Sequence, residues 1–300
     1  MAMNVGIIGL GAMGLGVARV LLGKGFAVHG CDVRQQALDA FAAAGGQAHQ
    51  TPAALASKCS VVMVFVVNAQ QTLQAMFGEG GAARALPPGA AVICCVTAAP
   101  EFMQTLGKVL AEGEILLLEA PVSGGVQGAA EGKLTLMTSG PPAAYHVCED
   151  ILQAIAKKVY RLGGVYGAAS KIKLINQLLV SVHIAAAAEA MALGLREGVN
   201  PEVLHEVITN SAGNSWAFAD RVPRILSGGY MPPHTALDIF VKDLELVLDA
   251  ARTSHFPLPL TTAAYQMFAR ASCDGLGGED DTAVIKTFPG ISLPGHRGLQ

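Results

Sequence analysis

Lys173 and Asn176 stand three residues apart in Gly167-Ala168-Ala169-Ser170-Lys171-Ile172-Lys173-Leu174-Ile175-Asn176, a stretch otherwise built mostly of small and apolar residues. On a helix, residues three apart share a face, so an amine and an amide would project together. A lysine within an apolar helix is costly unless it has a partner or a task, and desolvation pulls a buried ammonium toward neutrality. A general base needs that behaviour. The alternative is a lysine whose stem lies along apolar surface while its head reaches water. Lys171 falls on a different face and is expected to be solvated.

Two glycine-bearing segments add to this. Gly9-Leu10-Gly11-Ala12-Met13-Gly14 follows the apolar run Asn4–Ile8 directly. In a G-x-G-x-x-G turn the first glycine permits the bend, the second lets a diphosphate approach the backbone, and the third lets the helix pack on the strand. Free N–H groups of the helix's first turn then face the phosphates. The next strand ends at Asp32, at the right distance to accept from a ribose 2′-hydroxyl and to repel a 2′-phosphate. This combination points to NAD rather than NADP. Arg34 is able to meet a 2′-phosphate, and beside Asp32 it reads as a solvated residue at a helix start. The second segment, Ala120-Pro121-Val122-Ser123-Gly124-Gly125, also follows an apolar strand. A hydroxyl and close backbone N–H groups suit a carboxylate, though the same residues also make an ordinary turn.

The elements that must hold these residues alternate through the first half. Strand-type runs at Asn4–Ile8, Ala27–Cys31, Val61–Val67, Ala91–Cys95, Ile115–Leu118 and Leu134–Met137 are separated by helical stretches such as Gly14–Leu22, Gln35–Ala44 and Pro100–Ala111. Continuously apolar strands fit a parallel sheet covered on both faces. The alternation therefore predicts a Rossmann-type, doubly wound α/β domain over residues 1–165. Strand signals stop near Leu162. A proline-free helix then runs from Ala168 to about Arg196, apolar nearly all round between Leu178 and Leu195, and so is expected to be surrounded by other helices. Asn200-Pro201 restarts a helix with an N-cap and a proline at its first position. Residues 166–300 are expected to form an all-α domain for substrate binding and oligomerisation, entered by that long helix.

Composition bounds the rest. The chain has 300 residues, 52% hydrophobic and only 14% charged, with a formal net charge of −3. The apolar excess suggests burial between subunits, so a homodimer or homotetramer is expected. No Lys/Arg cluster supplies a nucleic-acid footprint. The six cysteines show no metal-ligand spacing and read as reduced, buried residues of a cytoplasmic protein; no metal site is expected. No basic segment precedes the first apolar run, so no signal peptide is read, and the apolar runs are too short to predict a membrane span. His183, seven residues after Asn176 on the same helix face, is placed to border a pocket, though it reads first as a core or interface histidine. Trp216 reads as core, and Lys286 as a tail residue.

The three features in this order resemble the β-hydroxyacid dehydrogenase family, which includes 3-hydroxyisobutyrate dehydrogenase and tartronate semialdehyde reductase. The resemblance spans nearly the whole chain: Gly9–Gly14, Ser123–Gly125, Gly167–Asn176 and Lys242-Asp243-Leu244. It implies that Lys173 is the catalytic lysine and Asn176 a substrate-binding partner, with Ser123, Gly124 and Gly125 at the substrate carboxylate. It further implies that Gly9, Leu10, Gly11, Ala12, Met13, Gly14 and Asp32 hold NAD. Asn68, Thr97 near the nicotinamide and Lys242 closing over the cofactor complete that set. Val66-Val67-Asn68-Ala69, Gly213-Asn214-Ser215-Trp216, the stretch Arg221 to Pro233 and Asp280–Lys286 narrow the resemblance to the branch oxidising L-threonate to a 2-oxo acid. Asn68 and the Asn214-Ser215 pair are then the polar groups suited to the extra hydroxyls, and for Trp216 beside that pair the resemblance adds a pocket wall as the alternative to core. Two departures stand out: Cys94 and Val96 occupy places where the family usually has an acid and a serine, and Ala169 replaces a loop glycine.

Overall fold

The structure, a computed structural model, describes residues 3–294. The chain divides into two compact units, the first ending at Lys173 and the second beginning at Leu174. In the first unit the elements run β1 (Asn4–Ile8), α1 (Ala12–Gly23), β2 (Ala27–Cys31), α2 (Gln35–Ala43), β3 (Gln47–His49), α3 (Pro52–Ala56), β4 (Val61–Val64), α4 (Ala69–Phe77), β5 (Ala91–Cys94), α5 (Pro100–Glu112) and β6 (Leu116–Glu119). They continue with β7 (Val122–Ser123), α6 (Gly125–Glu131), β8 (Leu134–Thr138), α7 (Pro142–Ile155) and β9 (Ala156–Arg161).

The first six strands form one parallel sheet in the order β3-β2-β1-β4-β5-β6. Strand side chains alternate between faces. Val5, Ile7, Val61, Met63, Ala91 and Ile93 therefore enter one core with α1 and α7, while Ile8, Val62, Val64, Val92 and Cys94 enter another with α5. Both faces are buried, which is why these strands read as unbroken apolar runs. Strand order reverses between β1 and β4, the place where open α/β sheets bind ligands. A smaller sheet, β7-β8-β9, pairs β7 antiparallel and β9 parallel to β8. β9 (AKKVYR) is an edge strand with Lys157, Lys158, Tyr160 and Arg161 exposed. β3 and β9 carry no apolar run, so the sequence pattern does not announce them.

Helix α8 (Ala168–Arg196) begins in the first unit and supplies the second unit's spine. Then come α9 (Pro201–Thr209), α10 (Trp216–Ser227), α11 (Leu237–Thr253) and α12 (Pro259–Ala271), followed by two short helical turns, Ser272–Leu276 and Asp281–Thr287. Asn200 caps α9 through its side chain, which accepts from Val203 N at 2.9 Å, with Pro201 at the first position as its sequence required. Ile184, Ala188 and Met191 of α8 pack with Phe218, Val222, Phe240, Leu244, Phe268 and Val284. The helix is not surrounded within one chain, however: Ile172, Ile175, Leu179 and Leu193 are exposed, and α9 buries none of its residues. α8 is also long and apolar enough to cross a bilayer, which no single apolar run in the sequence suggested.

Candidate active site

The sheet's carboxyl edge gathers most of the residues singled out in the first unit. β1 runs into Gly9, whose φ of +94° is open to glycine; a Cβ there would also stand 2.6 Å from the Phe65 carbonyl oxygen. A Cβ on Gly14 would stand 1.9 Å from the Gly9 carbonyl oxygen, so the third glycine is demanded by helix-on-strand packing. Gly11 differs. A Cβ there would meet only the Arg34 Nη2 atom, at 3.8 Å. Packing within the chain leaves room for a side chain, so the cradle is kept open to something outside the chain. Gly11 is also the N-cap of α1 and offers no side chain to its first-turn N–H groups. An open cradle over an uncapped helix start fits a dinucleotide diphosphate.

Asp32 closes β2 beside this turn. Its Oδ2 accepts from Leu10 N at 2.7 Å, and its Oδ1 accepts from Arg34 N at 2.9 Å and Arg34 Nε at 3.0 Å. Burial works to raise the Asp32 carboxyl, but the hydrogen bonds from Arg34 and Leu10 outweigh it and hold the group below the ordinary carboxylate range. Asp32 is thus a fixed anion. Arg34 is its ion-pair partner, not merely a solvated residue.

Beyond β4, Asn68 is the N-cap of α4, and its Oδ1 accepts from Gln71 N at 2.8 Å. Thr97, half-buried, follows β5. Beyond β6 the chain passes through β7 into Gly124 (φ +124°) and Gly125 (φ +61°), two successive residues in glycine-favouring backbone. There Lys173 meets this segment: its Nζ donates to the Val122 carbonyl at 2.9 Å, and the residue is only 7% exposed. Lys171 is exposed. The amine that sequence marked as the base and the segment marked for a carboxylate are therefore in contact.

One acid at this edge was not singled out from sequence. Glu119, the last residue of β6, is fully buried. Its Oε2 accepts from Gly167 N at 2.7 Å and from Ser139 Oγ at 2.5 Å, and its Oε1 accepts from Ser170 N at 2.6 Å. Ser139 Oγ in turn accepts from Ala169 N at 3.3 Å. The start of α8 is held by this pair. The signal was a lone carboxylate closing an otherwise apolar strand.

In the second unit, Asn176 Nδ2 donates to Gln177 Oε1 at 3.0 Å, and Gln177 Nε2 donates to Asp243 Oδ2 at 2.6 Å. Lys242 forms an ion pair with Asp243 Oδ1 at 2.6 Å. Asn176 and Lys242 therefore share a relay, in which Gln177 is a member that sequence reasoning passed over and Asp243 one it quoted in a motif without a role. Other expectations are corrected. Ser215 caps α10 by accepting from Phe218 N, and Asn214 Nδ2 donates to Thr209 O, so both are engaged in local backbone contacts. Trp216 is exposed, with the Arg221 guanidinium 5.4 Å from its ring centre, and His183 is exposed too, so neither lies in the core of the chain. Lys286 is a partner of Glu279 and lies over the Tyr230 ring. Five cysteines are buried, but Cys273 is exposed.

A parallel sheet of this order, with a glycine cradle, an acid closing the second strand and a buried lysine, defines a nicotinamide-dinucleotide-dependent dehydrogenase. Comparison with known proteins agrees. Residues 4–164 match the NAD binding domain of 6-phosphogluconate dehydrogenase, and residues 167–288 match the NAD-binding domain of NADP-dependent 3-hydroxyisobutyrate dehydrogenase. The chain is 62% identical to an L-threonate dehydrogenase of Cupriavidus necator over 98% of its own length and 99% of that protein. It is 47% identical to one of Escherichia coli, over 98% and 97%. A crystal structure of 3-hydroxyisobutyrate dehydrogenase from Salmonella typhimurium superposes with a TM-score of 0.91 at 44% identity, covering 95% of this chain and 100% of that one. The chain belongs to the 3-hydroxyisobutyrate dehydrogenase-like β-hydroxyacid dehydrogenase family, and is an NAD-dependent hydroxyacid dehydrogenase.

Proposed function

We propose that this enzyme oxidises L-threonate at the hydroxyl next to the carboxylate, giving the 2-oxo acid, with NAD preferred over NADP. The observation that carries the substrate is the full-length identity to the Cupriavidus protein. When bound, the cofactor supplies the hydride acceptor. The chain's part is to bind, orient and move a proton. Gly9 to Gly14 and the first-turn N–H groups of α1 would take the diphosphate, and Asp32 would accept from the ribose. Asn68, Thr97 and Lys242 complete the cofactor set by family likeness. Ser123, Gly124 and Gly125 take the substrate carboxylate, supported by the open, glycine-favouring backbone there. Lys173 accepts the hydroxyl proton at Nζ, supported by its burial and its hydrogen bond to Val122 in the same segment. Asn176, one turn further along α8, is the second substrate contact.

The N-caps made by Asn68 and Ser215 and the hydrogen bond Asn214 donates to Thr209 O remove the local argument that these residues await extra hydroxyls, so the substrate rests on relatedness. A second reading, 3-hydroxyisobutyrate oxidation, is favoured by what the Salmonella protein is said to be. The test is kcat/KM with NAD for L-threonate, D-threonate, D-erythronate and 3-hydroxyisobutyrate, alongside Lys173→Ala. L-Threonate is expected to lead the panel, and the variant to lose about a hundred- to ten-thousand-fold in kcat. Preference for 3-hydroxyisobutyrate overturns the substrate. Near-full turnover by the variant overturns the base.

A further inference from the structure

We propose that Glu119 is a positioning residue for the reaction: its buried carboxylate fixes the start of α8 and thereby sets where Lys173 presents its amine. The inference rests on Lys173 being the base.

The first N–H groups of a helix have no partner within it and must find one elsewhere. At α8 no side chain from the helix's own first turn is seen to fill that need. Glu119, 48 and 51 residues away in the chain, supplies both carboxylate oxygens to Gly167 N and Ser170 N. Ser139, pinned to Glu119 by backbone hydrogen bonds in both directions and by its own hydroxyl, takes Ala169 N. A carboxylate at a helix N-terminus also meets the favourable end of the helix dipole. Every member of this knot is buried, so water cannot replace a lost partner.

The same acid stands three residues before Val122, whose carbonyl accepts from Lys173 Nζ. Strand β6 thus grips α8 twice within one turn, by the Glu119 side chain at Ser170 and by the chain just beyond it at Lys173. Three helical residues rise only about 4.5 Å, so a shift of the anchor passes to the amine almost undiminished. A misplacement of about 1 Å at a reacting group can cost on the order of a hundredfold in rate. Glu119 touches no reacting atom; it works through Lys173 alone.

That exclusivity gives the test. Glu119→Gln keeps the shape but turns one acceptor into a donor facing an N–H. It is expected to lower kcat about ten- to a hundredfold on the best hydroxy acid of the panel, with NADH affinity within about threefold of wild type. Added to Lys173→Ala, whose residual rate is read by single-turnover NADH formation, it is expected to change nothing further. A residue that merely supports the fold would multiply its loss into the double variant, and that result overturns the proposal. So does a Glu119→Gln enzyme within threefold of wild-type kcat while Lys173→Ala is crippled. If Lys173→Ala itself turns over normally, the base assignment falls and this inference falls with it. Ser139→Ala, which removes one hydroxyl from the knot, carries the same double-variant comparison if Glu119→Gln does not fold. Its expected loss is about three- to tenfold, and an unchanged kcat or a loss repeated in full on Lys173→Ala overturns the proposal.

Discussion

Alanine at Gly14 and alanine at Gly11 should fail in opposite ways. At Gly14 the new Cβ would stand 1.9 Å from the Gly9 carbonyl oxygen, and contacts under 3.0 Å are essentially never seen, so α1 must back away from β1 by about 1 Å. Alanine gains about 1 kcal/mol over glycine in helix propensity, but forcing atoms into a packed site costs about 1–3 kcal/mol or more. The backbone oxygen cannot rotate aside, so the clash wins. At this chain length each kcal/mol is worth roughly 2–4 °C, and Gly14→Ala should melt several degrees below wild type. At Gly11 the Cβ meets only the end of the Arg34 side chain at 3.8 Å, and the backbone sits at an ordinary φ of −67°. The weaker N-cap preference of alanine costs about as much as the reduced freedom of the unfolded chain returns, so Tm should stay within about 2 °C. Binding should not. A methyl group in the diphosphate cradle is expected to weaken NADH by about ten- to a hundredfold, or roughly 1.4–2.8 kcal/mol. Thermal melts without ligand and NADH fluorescence titrations read the two quantities separately. A Gly11→Ala protein that binds NADH as wild type does would refute the assignment of the cradle, and one that melts like Gly14→Ala would refute the packing argument.

Three further outcomes are expected. Asp32→Ser removes a fixed anion and should weaken NAD while raising the kcat/KM ratio for NADP over NAD; equal use of both cofactors by wild type would contradict the role of Asp32. Burial raises the Asp281 carboxyl to about 6, with the Arg221 guanidinium pulling down and Asp280 adding to the rise. Its folded pKa lies above the unfolded value, so the stability it contributes is present at low pH and lost as pH rises from about 4 through 6. Going from pH 7 to 5, wild type should gain about 1 kcal/mol, or roughly 2–4 °C, relative to Asp281→Asn, and a constant gap would show that the shift is absent. Finally, the exposed Leu179 and Leu193 of α8, with Val203 and Val207 of α9, support self-association through the second unit. Sedimentation at micromolar concentration should give at least twice the 30.8 kDa chain mass, and a lone monomer would contradict it.

The parts legible in sequence were those set by local constraint. Gly14 is demanded by the Gly9 backbone five residues away, Gly9 by its own φ of +94°, and Asp32 by its place at a strand end, so much of the motif carried its own geometry. Lys173 stood out because an ammonium in an apolar helix needs a reason. Its partner, the Val122 carbonyl, lies 51 residues away and left no trace in residue type. Of the Glu119–Ser139 knot only the lone carboxylate closing an apolar strand showed in residue type; its partners, up to 51 residues away, did not. Ser215 was misleading in the opposite direction as a group for substrate hydroxyls, and Asn68 too has a local duty: short polar side chains at helix starts bond the nearest N–H groups. Trp216 read as core by default, yet its ring is exposed beside the Arg221 guanidinium.

The small sheet has its own bearing on how copies of this chain meet. β9 leaves one backbone edge without a neighbouring strand, and such an edge invites a second chain to add to it. Lys157, Lys158 and Arg161 stand exposed along that edge. Two molecules laid strand to strand there would bring Lys157 and Lys158 toward the lysines of the second copy, while Arg161 is already paired with Glu149. Charge therefore disfavours pairing of this edge with its own kind, while the second unit leaves Leu179 and Leu193 uncovered. Charge on the polar strand thus disfavours open-ended stacking of the kind that makes fibres, and the self-association expected of this chain falls to the uncovered apolar residues of the helices.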